Sequence, residues 1–269
     1  RDMANKHLLI KLSKLISASN AAQLLMCGAI YLLVPSAIAQ NAELATKSEK
    51  TIGLTLASYK YDEPSYMTLK ANKVGIDFSG TYAFGSQWPN PQQSWFVKGE
   101  FQTLSGKADY QSPFSGAIRN TPNRSVEVRA LVGKDFEVGG VVFAPYIGLG
   151  YRRLYSNIGY ERTSTYNTLP IGVTHKMSTS ELAQLHTTLE YMHLLSGVHK
   201  VNLLSQNVSL DQRRGYGLRL SVMHRQDTWS MGPTLTYWNM AQSEVGGVLP
   251  VYEPQNKTIE IGFKGAYRF

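Results

Sequence analysis

The sequence predicts an all-β transmembrane fold, an antiparallel up-and-down β-barrel of ten strands, with eight as the alternative count. Three observations predict it. Apolar and polar residues alternate with a period of two in one segment after another. The connections between these segments alternate between long and short. After Gln40, no apolar run approaches the roughly 18 residues that a membrane-crossing helix requires.

The alternation is clearest in the last segment. Ile259, Ile261, Phe263, Gly265, Tyr267 and Phe269 fall on one face, and Glu260, Gly262, Lys264, Ala266 and Arg268 on the other. Successive strand side chains point to opposite faces, so this segment is greasy on one side and charged on the other. The same rhythm marks Ile52/Leu54/Leu56, Val74 to Phe84, Trp95 to Gln102, Val126 to Gly133, Val141 to Tyr151, Leu169 to Lys176, Leu182 to His193, Gly215 to His224 and Trp229 to Trp238. A soluble sandwich also alternates, with its greasy face inward and its polar face to water, but here the polar faces carry many small residues beside paired charges, the segments run long and the last one ends on an aromatic. Tyr59, Tyr61, Tyr82, Trp95, Tyr151, Tyr191, Trp229, Tyr237 and Tyr267 lie near segment ends, where aromatic girdles sit at headgroup level.

Asp62–Ala71, Ser105–Asn123, Arg153–Asn167, Leu195–Arg213 and Met240–Lys257 read as long connections, and Asp135–Gly139, Ser178–Glu181 and Arg225–Thr228 as short ones. Single-chain bacterial barrels place short turns on the periplasmic side and long loops outside. Gly85–Gln92, with its Trp-Pro-Asn-Pro, breaks the rhythm by being long where a short turn is due.

Composition agrees with this class. The chain holds 23 Gly, 16 Tyr and 11% aromatic residues beside 43% hydrophobics, a strand-and-turn profile. Its formal charge is +8. Residues 1–39 contribute four bases and one acid, so without them 23 bases face 18 acids, a net charge of +5. The bases are dispersed among acids with no dense run, which excludes a nucleic-acid patch and makes anionic lipopolysaccharide the expected counter-charge. Cys27, the single cysteine, lies in the leader, so the remaining chain forms no internal disulfide.

From Met3 onward, Lys6, Lys11 and Lys14 precede an apolar run from Ala21 to Val34 and then Pro35-Ser36-Ala37-Ile38-Ala39-Gln40. This is the order of a signal peptide, with cleavage between Ala39 and Gln40. The apolar run falls short of the ~20 residues a spanning helix needs. The expected organisation is therefore a leader over 1–39, upstream residues 1–2 included, a short polar lead over 40–50 and a barrel over 51–269.

The closing Gly-Ala-Tyr-Arg-Phe, with Phe263, Tyr267 and Phe269 on one face, resembles the C-terminal signal of bacterial outer-membrane barrels. That resemblance implies export to the outer membrane, periplasmic chaperones and the barrel-assembly machinery as partners, and outer-membrane lipid as surroundings. The ten-strand plan is similar, in strand number, to the omptin proteases.

The polar faces collect Asp77, Glu100, Glu127, Glu190 and Glu260 against Lys98, Arg129, Arg152, Arg219, Lys264 and Arg268, with His186 nearby. In a narrow barrel side chains fill the interior, and unpaired charges there are costly. The near-balance predicts an ion-paired lumen that conducts little, with a narrow porin-like channel as the alternative.

No catalytic, cofactor or metal site is expected. His186 and Glu190 share a face and could activate Ser180, but such a pair is more often a plain hydrogen bond. His175, His193, His199 and Asp211 show no motif spacing, and no Gly-x-Ser-x-Gly or His-Glu-x-x-His occurs. The expected role is structural or surface-binding through the long outer loops, toward an extracellular ligand of unknown identity. An omptin-like protease or a lipid-A-modifying hydrolase is the enzymatic alternative. The first and last loops share Glu-Pro after an aromatic, in Tyr61-Asp62-Glu63-Pro64 and Tyr252-Glu253-Pro254, and barrel closure would set them side by side.

Overall fold

The computed structural model describes residues 44–84, 94–203, 206–247 and 250–269. The expected leader with its Ala39/Gln40 junction, Cys27 and the Gly85–Gln92 connection lie outside the described residues. Twelve strands follow one another: β1 (Glu49–Glu63), β2 (Met67–Phe84), β3 (Trp95–Ser112), β4 (Gly116–Lys134), β5 (Phe136–Val138), β6 (Val141–Asn157), β7 (Glu161–Ser180), β8 (Ala183–Leu203), β9 (Gln206–Gln212), β10 (Gly215–Arg225), β11 (Trp229–Met240) and β12 (Asn256–Arg268). Ten of them form the wall, in the order β1-β2-β3-β4-β6-β7-β8-β10-β11-β12, every neighbour antiparallel. β5 is a short hairpin partner of β6, and β9 pairs the far end of β8 after β8 has left β10.

Closure is made by β1 and β12, which pair without a break from Thr51↔Arg268 to Asp62↔Lys257. Lys50 and Phe269 exchange both backbone hydrogen bonds at 3.0 Å just below. A wall that meets itself leaves no strand edge unpaired in lipid, where each orphaned N–H or C=O would cost several kcal/mol.

The alternating pattern sorts side chains as the sequence requires. Leu54, Leu56, Val74, Ile76, Phe78, Ile147, Leu149, Ile261 and Phe263 are exposed on the outer wall, while Thr55, Ala57, Asp77, Leu131 and Glu190 are buried inside. Two aromatic rows bound this apolar band. At the end holding Glu49 and Arg268, called lower here, stand Tyr82, Phe84, Trp95, Tyr267 and Phe269. Opposite them stand Tyr151 and a run across three adjacent strands, Tyr191 against Tyr216 at 6.1 Å and Tyr216 against Tyr237 at 6.2 Å. Tyr59 and Tyr61 do not join a girdle. Both point inward and are buried, because β1 keeps its parity past Leu56 and carries odd-numbered residues to the lumen.

The upper connections are strand rather than loop over most of their length. β1 and β2 run on to Glu63 and Met67, β3 and β4 to Ser112 and Gly116, and β6 and β7 to Asn157 and Glu161. Much of Leu195–Arg213 is the β8–β9 hairpin. Above the upper aromatic row the outer wall faces water, so Lys60, Asn72, Lys70, Lys107 and Asp109 replace the apolar residues and the sequence loses its alternation without losing its strands. Met240–Lys257 remains a connection up to the start of β12, with the Gly246↔Val251 bridge among its described residues. Below, Gly139 and Gly140 turn β5 into β6 with φ of 59° and 87°, a two-residue hairpin that left-handed geometry reserves largely for glycine.

A charge in the middle of the band separates this wall from a soluble sheet. Leu54→Arg, which faces outward opposite Gly265 and Ile76, is expected to destabilise the barrel by about 2–4 kcal/mol in denaturant titrations from lipid vesicles. Lys70→Ser, exposed above the band, is expected to stay within about 0.5 kcal/mol.

Candidate functional site

All eleven residues of the expected charge network face the lumen, and most are tied into ion pairs. Arg129 on β4 is the hub. It grips both carboxylate oxygens of Glu190 at 2.6 and 2.9 Å across the lumen on β8, closes tightly on Glu100 of β3, and lies 3.5 Å from Glu127. Arg219 on β10 bonds Glu127 at 2.6 Å and Glu190 at 3.3 Å, Lys98 reaches Glu100 at 2.7 Å, and the Tyr146 hydroxyl donates to Glu190 at 2.7 Å. Two arginines and three glutamates from four strands thus fill the middle of the barrel, each guanidinium offering its planar fork to more than one carboxylate.

Asp77 forms a second node, accepting from Thr55 at 2.6 Å and Gln102 at 2.7 Å with Lys264 at 3.2 Å. Glu260 pairs instead with Lys73, at 3.7 Å; this lysine, absent from the expected set, also sits 3.6 Å over the Tyr59 ring. Arg152 stacks on Trp238 at 4.8 Å, a cation–π contact in place of an ion pair. Arg268 joins Arg225 on Glu49 at the lower mouth. His186 and Glu190 do not act on Ser180: His186 bonds Gln184 at 2.9 Å and Arg225 at 3.3 Å, Glu190 belongs to the arginines, and Ser180 is exposed at the β7–β8 turn.

The polar lead also enters the lower mouth. Leu44 is buried, and Thr46 donates from its backbone N–H and its hydroxyl to Asp135, which accepts as well from Ser94 at 2.9 Å and Lys176 at 2.9 Å. β1 is thereby pinned to residues of the opposite wall. Between this seal and the arginine hub lies a cavity of ≈ 550 Å³ lined by charged side chains such as Asp77, Lys98, Glu127 and Arg225 and by the apolar Phe96 and Leu131.

Above the membrane band, the two Glu-Pro segments converge. Glu63 of β1 and Glu253 of the β11–β12 connection both accept from the same Arg162 nitrogen on β7, Glu63 at 2.7 Å and Glu253 in very close contact. The Tyr61 hydroxyl donates to Glu253 at 2.6 Å and is 2.8 Å from Glu63, and the second Glu253 oxygen is 3.0 Å from His199 Nε2. Ser243 holds the connection itself, its hydroxyl accepting from the Glu253 backbone N–H at 2.8 Å. Strands β1 and β7 and the β11–β12 connection are tied at a single guanidinium, which latches the connection at the upper mouth. The Glu-Pro pair that follows an aromatic in both segments is the sequence signal for this site; Arg162 and His199, on other strands, have none.

Ser164 Oγ lies 2.7 Å from His199 Nδ1, so hydroxyl, imidazole and carboxylate stand in series. Nε2 of His199 makes no hydrogen bond to that carboxylate despite the short distance, so the three groups are packed together without forming a relay. Burial, reinforced by the Arg162 charge, pushes His199 down to about 3, leaving it too weak a base to take a serine proton at neutral pH. His199 is 1% exposed, and Glu253 is already held by Arg162 and Tyr61. Burial and the neighbouring Glu253 charge also raise the Glu63 carboxyl above its ordinary range, although Arg162 opposes them. Among the described residues no group of three acidic, histidine or cysteine side chains could hold a metal ion.

No protein-family model and no curated protein sequence matches the chain. Solved structures do. The outer membrane protease OmpT from Escherichia coli superposes with a TM-score of 0.53 at 10% identity, over 87% of this chain and 99% of that one. Ail, the attachment invasion locus protein of Yersinia pestis, gives a TM-score of 0.38 at 15% identity over 83% and 100% of the two chains. The translocator domain of the autotransporter NalP from Neisseria meningitidis gives 0.40 at 12% over 94% and 98%. By fold, this chain is a closed antiparallel β-barrel of ten wall strands, the architecture of outer-membrane barrels such as OmpT.

Two outcomes test the latch. Arg162→Ala leaves two carboxylates buried without their cation and is expected to cost roughly 3–5 kcal/mol, seen as rapid proteolysis within 241–255. Arg213→Ala, whose side chain is 70% exposed in its pairs, is expected to cost under about 1 kcal/mol. The second outcome concerns pH. His199 is neutral when folded and takes a proton below its ordinary 6.5 once released, so the unfolded form binds more protons between about 3 and 6.5. Acidification through that window is therefore expected to loosen the latch. Glu63, shifted upward, works in the opposite sense, so His199→Gln is expected to flatten or invert the pH dependence of proteolysis.

Proposed function

We propose that this protein is an exported, non-conducting outer-membrane barrel that acts through its upper surface, as a structural element or by binding a ligand outside the cell. One observation carries the reading: Arg129 crosses the lumen to Glu190 while holding Glu100, so the barrel is filled by its own ion pairs where a channel would need open space. The hub stiffens the wall, and the latch at Arg162 fixes the hairpins above it, giving a rigid platform of the kind that carries binding loops. In this reading residues 1–39 are a leader cleaved before Gln40, the upper hairpins face outward, and chaperones and the assembly machinery recognise the alternating Phe263, Tyr267 and Phe269 face of the last strand.

Hydrolysis is the less supported reading. The hydroxyl–imidazole series at Ser164 is buried and weakly basic, and OmpT shares the fold at 10% identity without lending its activity.

Planar-bilayer recording of the purified barrel tests the proposal. It is expected to show no stable unitary steps, while Arg129→Ala, which frees Glu100 and Glu190, is expected to admit flickering cation currents and to lower stability by roughly 3–5 kcal/mol. Uniform, long-lived steps from the unaltered barrel would overturn it.

A further inference from the structure

The outer wall above the apolar band is electrically lopsided. Lys257, Lys60, Lys70, Lys107, Arg124 and Arg153 are exposed and stand on six consecutive wall strands, β12, β1, β2, β3, β4 and β6. The register makes them one belt. Lys60 lies directly opposite Lys70. The others are one diagonal step apart: Lys60 pairs Ile259, two residues from Lys257; Lys70 pairs Asp109, two from Lys107; Lys107 pairs Pro122, two from Arg124; and Arg124 pairs Tyr155, two from Arg153. Neighbours in such positions come within roughly 5–8 Å of one another.

The four remaining wall strands differ. There the tyrosines Tyr191, Tyr216 and Tyr237 stand at the margin of the apolar band, and above them come Asn167 and Thr165 on β7, His193 and Lys200 on β8 and Asn239 on β11, so the bases are sparser than on the belt. Like charges set directly across a ladder are destabilising, and Asp62 and Asp109 are too few to neutralise six bases.

Position narrows the counter-ion. Arg124 and Arg153 come immediately above the outward-facing Val126 and Tyr151, and Lys257 immediately above Ile259, so on both flanks the belt begins where the lipid-facing surface stops. A species that satisfied both surfaces would have acyl chains against the apolar band and several anionic groups at its upper margin.

We propose that this six-strand face is a binding site for a phosphorylated glycolipid of the outer leaflet, its phosphates seated on the basic belt and its acyl chains on the wall below. The inference rests on the orientation adopted above, with the upper hairpins outside the cell. Long flexible lysines reach phosphates as point charges without fixed geometry, while Arg124 and Arg153 offer bidentate contacts at one end of the belt.

The test uses the folded barrel in neutral detergent, titrated with fluorescent bisphosphorylated lipid A, with dephosphorylated lipid A, phosphatidylglycerol and inorganic phosphate as comparison probes. The unaltered protein is expected to bind the bisphosphorylated form at least about tenfold more tightly than each comparison probe, with an affinity that falls as salt rises. The quadruple change Lys60→Ser, Lys70→Ser, Lys107→Ser and Arg124→Ser is expected to abolish that preference. Lys200→Ser with His193→Ser, on the opposite wall, is expected to preserve it. Heat-modifiable migration and bilayer recording of each variant report the closed barrel separately, so loss of the belt is distinguishable from failure of the fold or of the non-conducting reading. Equal affinity for phosphorylated and dephosphorylated lipid A, an unchanged quadruple variant, or equal binding of phosphatidylglycerol would overturn the proposal.

Discussion

A strand in hydrocarbon has no water to satisfy its backbone, so each N–H and C=O must find a partner on a neighbouring strand, and the last strand must find the first. The pairing of β1 with β12 is where this requirement is met, and the rest of the architecture follows from it. Closure fixes which parity of each strand faces lipid, and that parity carries apolar side chains outward and charges inward. Closure also creates a narrow interior in which charges must be compensated. The Arg129 hub, the Asp77 node and the Lys73–Glu260 pair are the local solutions, each linking residues from different strands.

The same constraint explains why the two mouths differ from the middle. Within the band, the outer wall is dictated by lipid and only the lumen is free to vary. Above it both faces meet water or protein, so the strands continue on backbone pairing while their outer residues turn polar. There the chain places a latch: Glu63 and Glu253 from the first and last connections on Arg162, with neutral His199 beside them. At the lower mouth Thr46, Asp135 and Lys176 join the lead to the far wall. Both arrangements bury charge, which rarely adds net stability over an apolar core but penalises every alternative packing that separates the partners.

Whatever depends on a period of two was legible in the sequence. The ten wall segments and their lipid-facing sides could be read because each strand reports its own faces. Partners across the barrel could not. Nothing in the neighbourhood of Glu260 points to Lys73, and nothing near Arg152 points to the Trp238 ring, since both contacts depend on closure and register. The hairpins above the band read as loops for a related reason: Lys60 to Asn72 and Ser105 to Asn123 are polar on the outside, so alternation vanishes although pairing persists. Tyr59 and Tyr61 lie near a segment end, where a girdle is expected, yet counting parity from Leu56 places them inside.

The most direct test of closure is a cysteine pair across the seam. Ser58 and Ile261 lie directly opposite each other on the outer wall of β1 and β12, at a separation suited to a disulfide. In the folded Ser58→Cys/Ile261→Cys protein, mild oxidation is predicted to give a monomer with one internal crosslink that persists after boiling. Crosslinking only between chains, as two open sheet edges would give, would contradict a wall that closes on itself.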